Sequence, residues 1–194
     1  MGGGDKCLLR LGPGADAPRV LDLVRARLAP QVDCMALNAN GDPARFAGFD
    51  LPVLADGMVD AGPLAGLSVA MDWAAEQGCD AVVTVAGDTP FFPADLVARL
   101  RAAGRGHGVV LAATDRVHPV FGLWSLSLRP ALAEALARGQ RRVAGFAAAQ
   151  GAAEVRFDAT GHDPFFNINT SEDLELARRI AAVAGVIPPD PGLA

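Results

Sequence analysis

Ala81-Val82-Val83-Thr84-Val85-Ala86 is an unbroken apolar run that stops at Gly87-Asp88-Thr89-Pro90. A run of β-branched and small apolar residues with no polar alternation predicts a strand covered on both faces, central in a parallel sheet. Upstream, Pro63 opens a helical pattern with Leu64, Leu67, Ala70, Met71 and Ala74 on one face, closed by Gly78. Before it, strands are predicted at about 33–38 and 51–54. A helix starting near Pro18 carries Val20, Leu21, Val24 and Leu28 as its stripe until Pro30. Downstream the pattern predicts a helix at 94–103, a strand at 109–113 and a further apolar stretch at 120–124. Helices at 130–138 and 142–150 and a strand at 154–157 follow. Thr170 and Asp173 form the capping box of a last helix whose inward residues are Leu174, Ala177 and Ile180. Strands alternating with helices predict an α/β fold, a mostly parallel sheet with helices on both faces. A single domain over 1–187 with a loose tail at 188–194 is expected.

Composition narrows the function. The chain of 194 residues is 51% hydrophobic and 20% charged, with mean hydropathy +0.26, which suits a folded domain with a sizeable core. A net charge of −5 and a pI near 5.1 argue against a nucleic-acid surface. No apolar run is long enough for a membrane span and no signal segment is seen, so a cytoplasmic protein is expected. Cys7, Cys34 and Cys79 fit no zinc spacing and are expected to be reduced thiols, mostly in the core.

Of the seventeen basic residues only Lys6 is a lysine, and it ends the glycine run Gly2-Gly3-Gly4-Asp5-Lys6. An ammonium beside exposed backbone N–H groups suits a phosphate, although a solvated terminal charge is the plain alternative. The loop is not a Walker A motif, since Cys7 stands where Ser or Thr is required. In open α/β sheets ligands bind at the carboxyl ends of strands, and Asn38 and Asn40, Asp56, and Asp88 all fall at such ends. Asp88 is either a turn former or a Mg²⁺ ligand working with substrate phosphates. Asn38 and Asp56 are strand-end residues or nucleotide contacts. Gly62 to Gly66 opens a helix whose N-terminus could take an anion, or whose Gly66 allows close packing. Asn167 and Asn169 put two amides on one face of an extended segment, structural or part of a metal or phosphate shell. His118-Pro119 reads as a packed residue and not as a base.

These pieces, with Arg141-Arg142-Val143, occur in the order and approximate spacing of the molybdenum cofactor guanylyltransferases, which the chain resembles from Met1 to about Ala184. The resemblance implies a Rossmann-like nucleotidyltransferase domain, GTP as cosubstrate, Mg²⁺ as metal, molybdopterin as acceptor and pyrophosphate as leaving group. By it, Lys6 with Gly3 and Gly4 holds the triphosphate, Asn38 and Asp56 contact the nucleotide, and Asp88 carries the metal. Gly62, Gly66, Arg141, Arg142, Asn167 and Asn169 fall on the side of the pterin phosphate. It also implies transient contact with molybdopterin-handling proteins or molybdoenzyme chaperones. Family members begin with a buried strand and an L-A-G-G segment ahead of the methionine on which Met1 falls, so a longer working protein is expected. CMP transfer to molybdopterin, another small-molecule nucleotidyl transfer, or a non-catalytic nucleotide-binding remnant are the competing expectations.

Overall fold

The computed structural model describes residues 5–55 and 62–185. They fall into two compact units. The first takes its described residues from 5–30, 86–94 and 159–185. It contains helix α1 (Val20–Leu28) and a C-terminal helix (Ser171–Val183). Lys6–Leu8 forms a single 3₁₀ turn, and Arg10 and Arg19 form an antiparallel bridge. Leu11, Val20, Phe91, Ile168, Ala177 and Ala181 make this unit's core. Small residues at 177 and 181, one helical turn apart, let the C-terminal helix lie close on it.

The second unit spans Gln31–Val85 and Asp95–Asp158. Strands β1 (Leu37–Asn38) and β2 (Val53–Leu54) pair in parallel and are followed by helix α2 (Pro63–Glu76). Next come β3 (Ala81–Thr84), α3 (Leu96–Ala103), β4 (Val109–Ala113), β5 (Val117–Ser125), α4 (Arg129–Ala137), α5 (Val143–Ala149) and β6 (Ala153–Arg156). The C-terminal helix of the first unit is then α6. The larger sheet has the order β3-β5-β4-β6. β5 runs antiparallel to both neighbours and β6 is parallel to β4, so three of the four strands share one direction. Leu64, Leu67 and Met71 from α2 pack with Val109, Leu111 and Trp124 of the sheet and with Phe146 of α5. Among the described residues no helix is long and apolar enough to cross a membrane.

Two expectations need correction. Ala81–Thr84 is not a central strand within the described sheet: β5 is its one ladder partner there, and each of its residues is half-buried. Apolar continuity reports that both faces meet other groups; it does not report how many ladder neighbours a strand has. The fully buried strand is β4. The cysteines carry free thiols but are half-buried, with Cys34 Sγ 3.8 Å from Cys79 Sγ; Cys34 and Cys79 stand ahead of β1 and β3 and Cys7 lies in the 3₁₀ turn, places where covering is partial.

The stretch 120–124 extends into the nine-residue β5 through an irregular register. Leu111 pairs with Gly122, yet Ala112 pairs with His118, so Pro119, Val120 and Phe121 sit in the shift. A bulge is where a residue without an N–H can remain in a strand. His118 is buried, as its packed reading requires, and its Nε2 lies 2.9 Å from the buried Thr114 hydroxyl.

Candidate active site

In the first unit the turn after β3 carries Asp88 and Thr89. The peptide after Asn167 is fixed to it, because Ile168 N–H donates to the Asp88 carbonyl at 3.0 Å. Ile168 is buried in the core while Asn167 and Asn169 are exposed. That inward–outward alternation is the one expected of an extended segment. Both amides therefore lie on one accessible face.

Each amide has a long-range partner. Lys6 Nζ donates to Asn169 Oδ1 at 2.7 Å, across 163 residues of sequence. An ammonium has three donors, so this bond aims Lys6 and leaves two. Thr89 Oγ is 3.0 Å from Asn167 Oδ1 and 3.3 Å from Asp88 Oδ1. Cys7, next to Lys6, packs on Gly87, next to Asp88: a Cβ on Gly87 would stand 3.5 Å from the Cys7 Cβ. The segment 167–169 thus ties the Lys6 turn to the Asp88 turn.

The capping box of α6 supports the same segment. Asn169 N–H and Thr170 N–H donate to Asp173 Oδ2 at 2.9 and 2.8 Å, and Asp173 N–H donates to Thr170 Oγ1 at 3.1 Å. The backbone N–H of Asn169, then that of Thr170, hold the Asp173 carboxyl below the ordinary carboxylate range, with a further contribution from the Lys6 charge.

Asp88 is half-buried and its Oδ2 takes no hydrogen bond among the described residues. Among those residues no group of three or more His, Cys, Asp and Glu is gathered to hold a metal ion. One carboxylate suffices for a Mg²⁺ whose other ligands are phosphate oxygens and water. The donor set therefore fits a metal that arrives with its nucleotide.

The second unit holds the remaining residues, placed by backbone contacts. Asn38 ends β1, and its Nδ2 donates to the Leu54 carbonyl at 3.1 Å. Gly66, buried in the first turns of α2, lets that amide approach: a Cβ there would be 2.4 Å from Asn38 Oδ1. Gly66 thus allows the close packing that its sequence reading offered. Gly62 adopts φ 71° and ψ 179°, a region open essentially to glycine alone. Its backbone lies against Arg141, whose carbonyl accepts from Leu64 N–H at 3.3 Å. The first turn of α2 is therefore partly satisfied from within the fold. Arg141 Nη1 donates to the carbonyls of Leu136 and Gln140 at 3.2 and 3.1 Å, and so caps the end of α4. Arg142 is exposed at the N-cap of α5. Gly3, Gly4 and Asp56 lie outside the described residues. In the sequence Thr89 reads only as part of a turn. Its buried hydroxyl acquires its place from a partner 78 residues away, which no local spacing signals.

Comparison with known proteins follows the same line. The sequence pattern described as the MobA-like NTP transferase domain matches residues 1–153. A molybdenum cofactor guanylyltransferase of Mesorhizobium japonicum is 50% identical over 189 residues, covering 93% of this chain and 89% of the relative. One from Cereibacter sphaeroides is 47% identical over 180 residues, covering 93% and 90%. The crystal structure of molybdopterin-guanine dinucleotide biosynthesis protein A from Archaeoglobus fulgidus superposes with a TM-score of 0.69. At 19% identity, covering 92% of this chain and 91% of that one, the likeness is one of fold, Rossmann-like α/β.

Proposed function

Because the chain belongs to the MobA-like NTP transferase family and is a nucleotidyltransferase, we propose that it transfers GMP from GTP to the terminal phosphate of molybdopterin. The products are molybdopterin guanine dinucleotide and pyrophosphate, and the reaction depends on Mg²⁺. The observation that carries this reading is the Asn167–Asn169 segment, which holds Lys6 through one amide and meets the Asp88–Thr89 turn through the other.

Two anionic reactants must be brought into line and their charge offset, which is the greater part of catalysis in phosphoryl-type transfer. Lys6, aimed by Asn169, neutralises triphosphate charge with its two remaining donors. The glycine run at Gly3 and Gly4 adds backbone donors. Asn38 and Asp56 hold the guanine nucleotide. Asp88 would hold Mg²⁺, which would supply charge neutralisation at the phosphates. Arg141 and Arg142, with Gly62 and Gly66, serve the pterin phosphate side. The acceptor phosphate oxygen attacks the α-phosphorus and pyrophosphate leaves, so no covalent enzyme intermediate is needed. The chain acts as one domain, in the cytoplasm, where it meets molybdopterin-handling proteins or molybdoenzyme chaperones transiently.

The test is product formation from GTP and molybdopterin with Mg²⁺, in wild type and Asp88→Asn. Wild type should form dinucleotide and pyrophosphate. Asp88→Asn should lose turnover by about a hundred-fold or more at an unchanged melting temperature. Equal turnover in the two proteins would remove Asp88 from metal binding.

A further inference from the structure

Thr89 is wholly buried, and its hydroxyl approaches Asn167 Oδ1 more closely than Asp88 Oδ1. A hydroxyl has one proton to give. A buried hydroxyl without partners would be costly, so this one is committed to the pair. The backbone beside Asn167 is already fixed through Ile168, whose N–H binds the Asp88 carbonyl and whose side chain is in the core. What remains free at Asn167 is rotation of its exposed carboxamide, and the Thr89 hydroxyl is the group that stops it.

The second amide is set in the same sense. Lys6 can only donate, so Asn169 turns its oxygen to Lys6 and its NH₂ away. With Asn167 Oδ1 turned to Thr89, its NH₂ also points away. Two carboxamides on one exposed face then present N–H donors, each oxygen being turned toward its protein partner. Such a set is oriented to donate to phosphate oxygens, whereas a metal would take the oxygens turned outward. Of the two shells open to this pair in the sequence, the geometry favours the phosphate one.

We infer that Thr89 is a positioning residue whose hydroxyl holds the Asn167 carboxamide NH₂-outward, so that Asn167 and Asn169 together donate to substrate phosphate oxygens. The inference rests on the nucleotidyl-transfer reading above and adds to it the residue that sets the amide's direction. The phosphate comes either from the nucleotide or from the acceptor.

A double-mutant cycle on the full chain tests it, using Thr89→Val, Asn167→Ala and the pair, with Thr89→Ser as the hydroxyl-retaining control. Binding of inorganic pyrophosphate and of GTP is measured by calorimetry, and KM and kcat are measured for the acceptor. Thr89→Val and Asn167→Ala should each weaken binding or raise KM by about ten-fold, the scale of one lost buried hydrogen bond. Thr89→Val should cost nothing more once Asn167 is gone, and Thr89→Ser should stay within about two-fold of wild type. A purely structural role for Thr89 would move the melting temperature and add its loss in both backgrounds. A shift in GTP affinity assigns the phosphate to the nucleotide, and a shift confined to acceptor KM assigns it to the acceptor. If the valine variant does not fold, Thr89→Ala removes the same hydroxyl. Wild-type behaviour without the hydroxyl, or an equal loss in the Asn167→Ala background, overturns the inference. Where the phosphate is the nucleotide's, pyrophosphate binding decides this without molybdopterin; where it is the acceptor's, the same cycle on acceptor KM decides it.

Discussion

Asn38 and Gly66 show what a single missing Cβ does in this protein. The carboxamide of Asn38 is pinned by Leu54 and occupies the space over Gly66 that an alanine methyl would need, 2.4 Å from Oδ1. Asn38 is also a proposed nucleotide contact, so the position of a binding group depends on the absence of a side chain in α2. Gly66→Ala should therefore cost about 1–3 kcal/mol as an overpacking change, seen as a fall of several degrees in melting temperature, with weaker nucleotide binding. A melting curve superposable on wild type would show that the amide has room to move. At Lys6 one bond likewise matters: Asn169 fixes the direction of an otherwise freely rotating ammonium.

At the scale of elements, α6 is the helix whose start bears on the site, because its capping box includes the backbone N–H of Asn169. The Asp173 carboxyl titrates lower in the folded protein than in the unfolded chain. The stability it contributes is thus fully present above the ordinary carboxylate range and lost as pH falls through the lower folded value. The melting difference between wild type and Asp173→Asn should be largest near neutral pH and shrink as pH falls toward about 3. A difference that is constant with pH would contradict the assignment. This cap was legible in the sequence because its parts are three residues apart, as were α2 and β4, whose periodicity is local. β5 was only half legible: a proline in a strand argues against pairing, and the register shift that accommodates Pro119 depends on β4 across the ladder. The edge position of β3 among the described strands was illegible for the same reason, since ladder partners are not written into an apolar run.

Across the whole molecule the candidate residues divide between two compact units. Lys6, Asp88, Thr89, Asn167 and Asn169 belong to one; Asn38, Gly62, Gly66, Arg141 and Arg142 belong to the other. Sequence reading found most of these residue types but not their pairings. Lys6 meets Asn169 across 163 residues, and Thr89 meets Asn167 across 78. Such partners are created by folding, and spacing along the chain carries no record of them. A net charge of −5 also means that anionic substrates must be held by local donors against the overall field. The central claim, a guanine nucleotide bound at this donor set, is tested most directly by calorimetric titration of the chain with GTP, and separately with CTP, in the presence of Mg²⁺. Saturable heat with GTP and none with CTP is the predicted result, and equal binding of both nucleotides, or of neither, would contradict it.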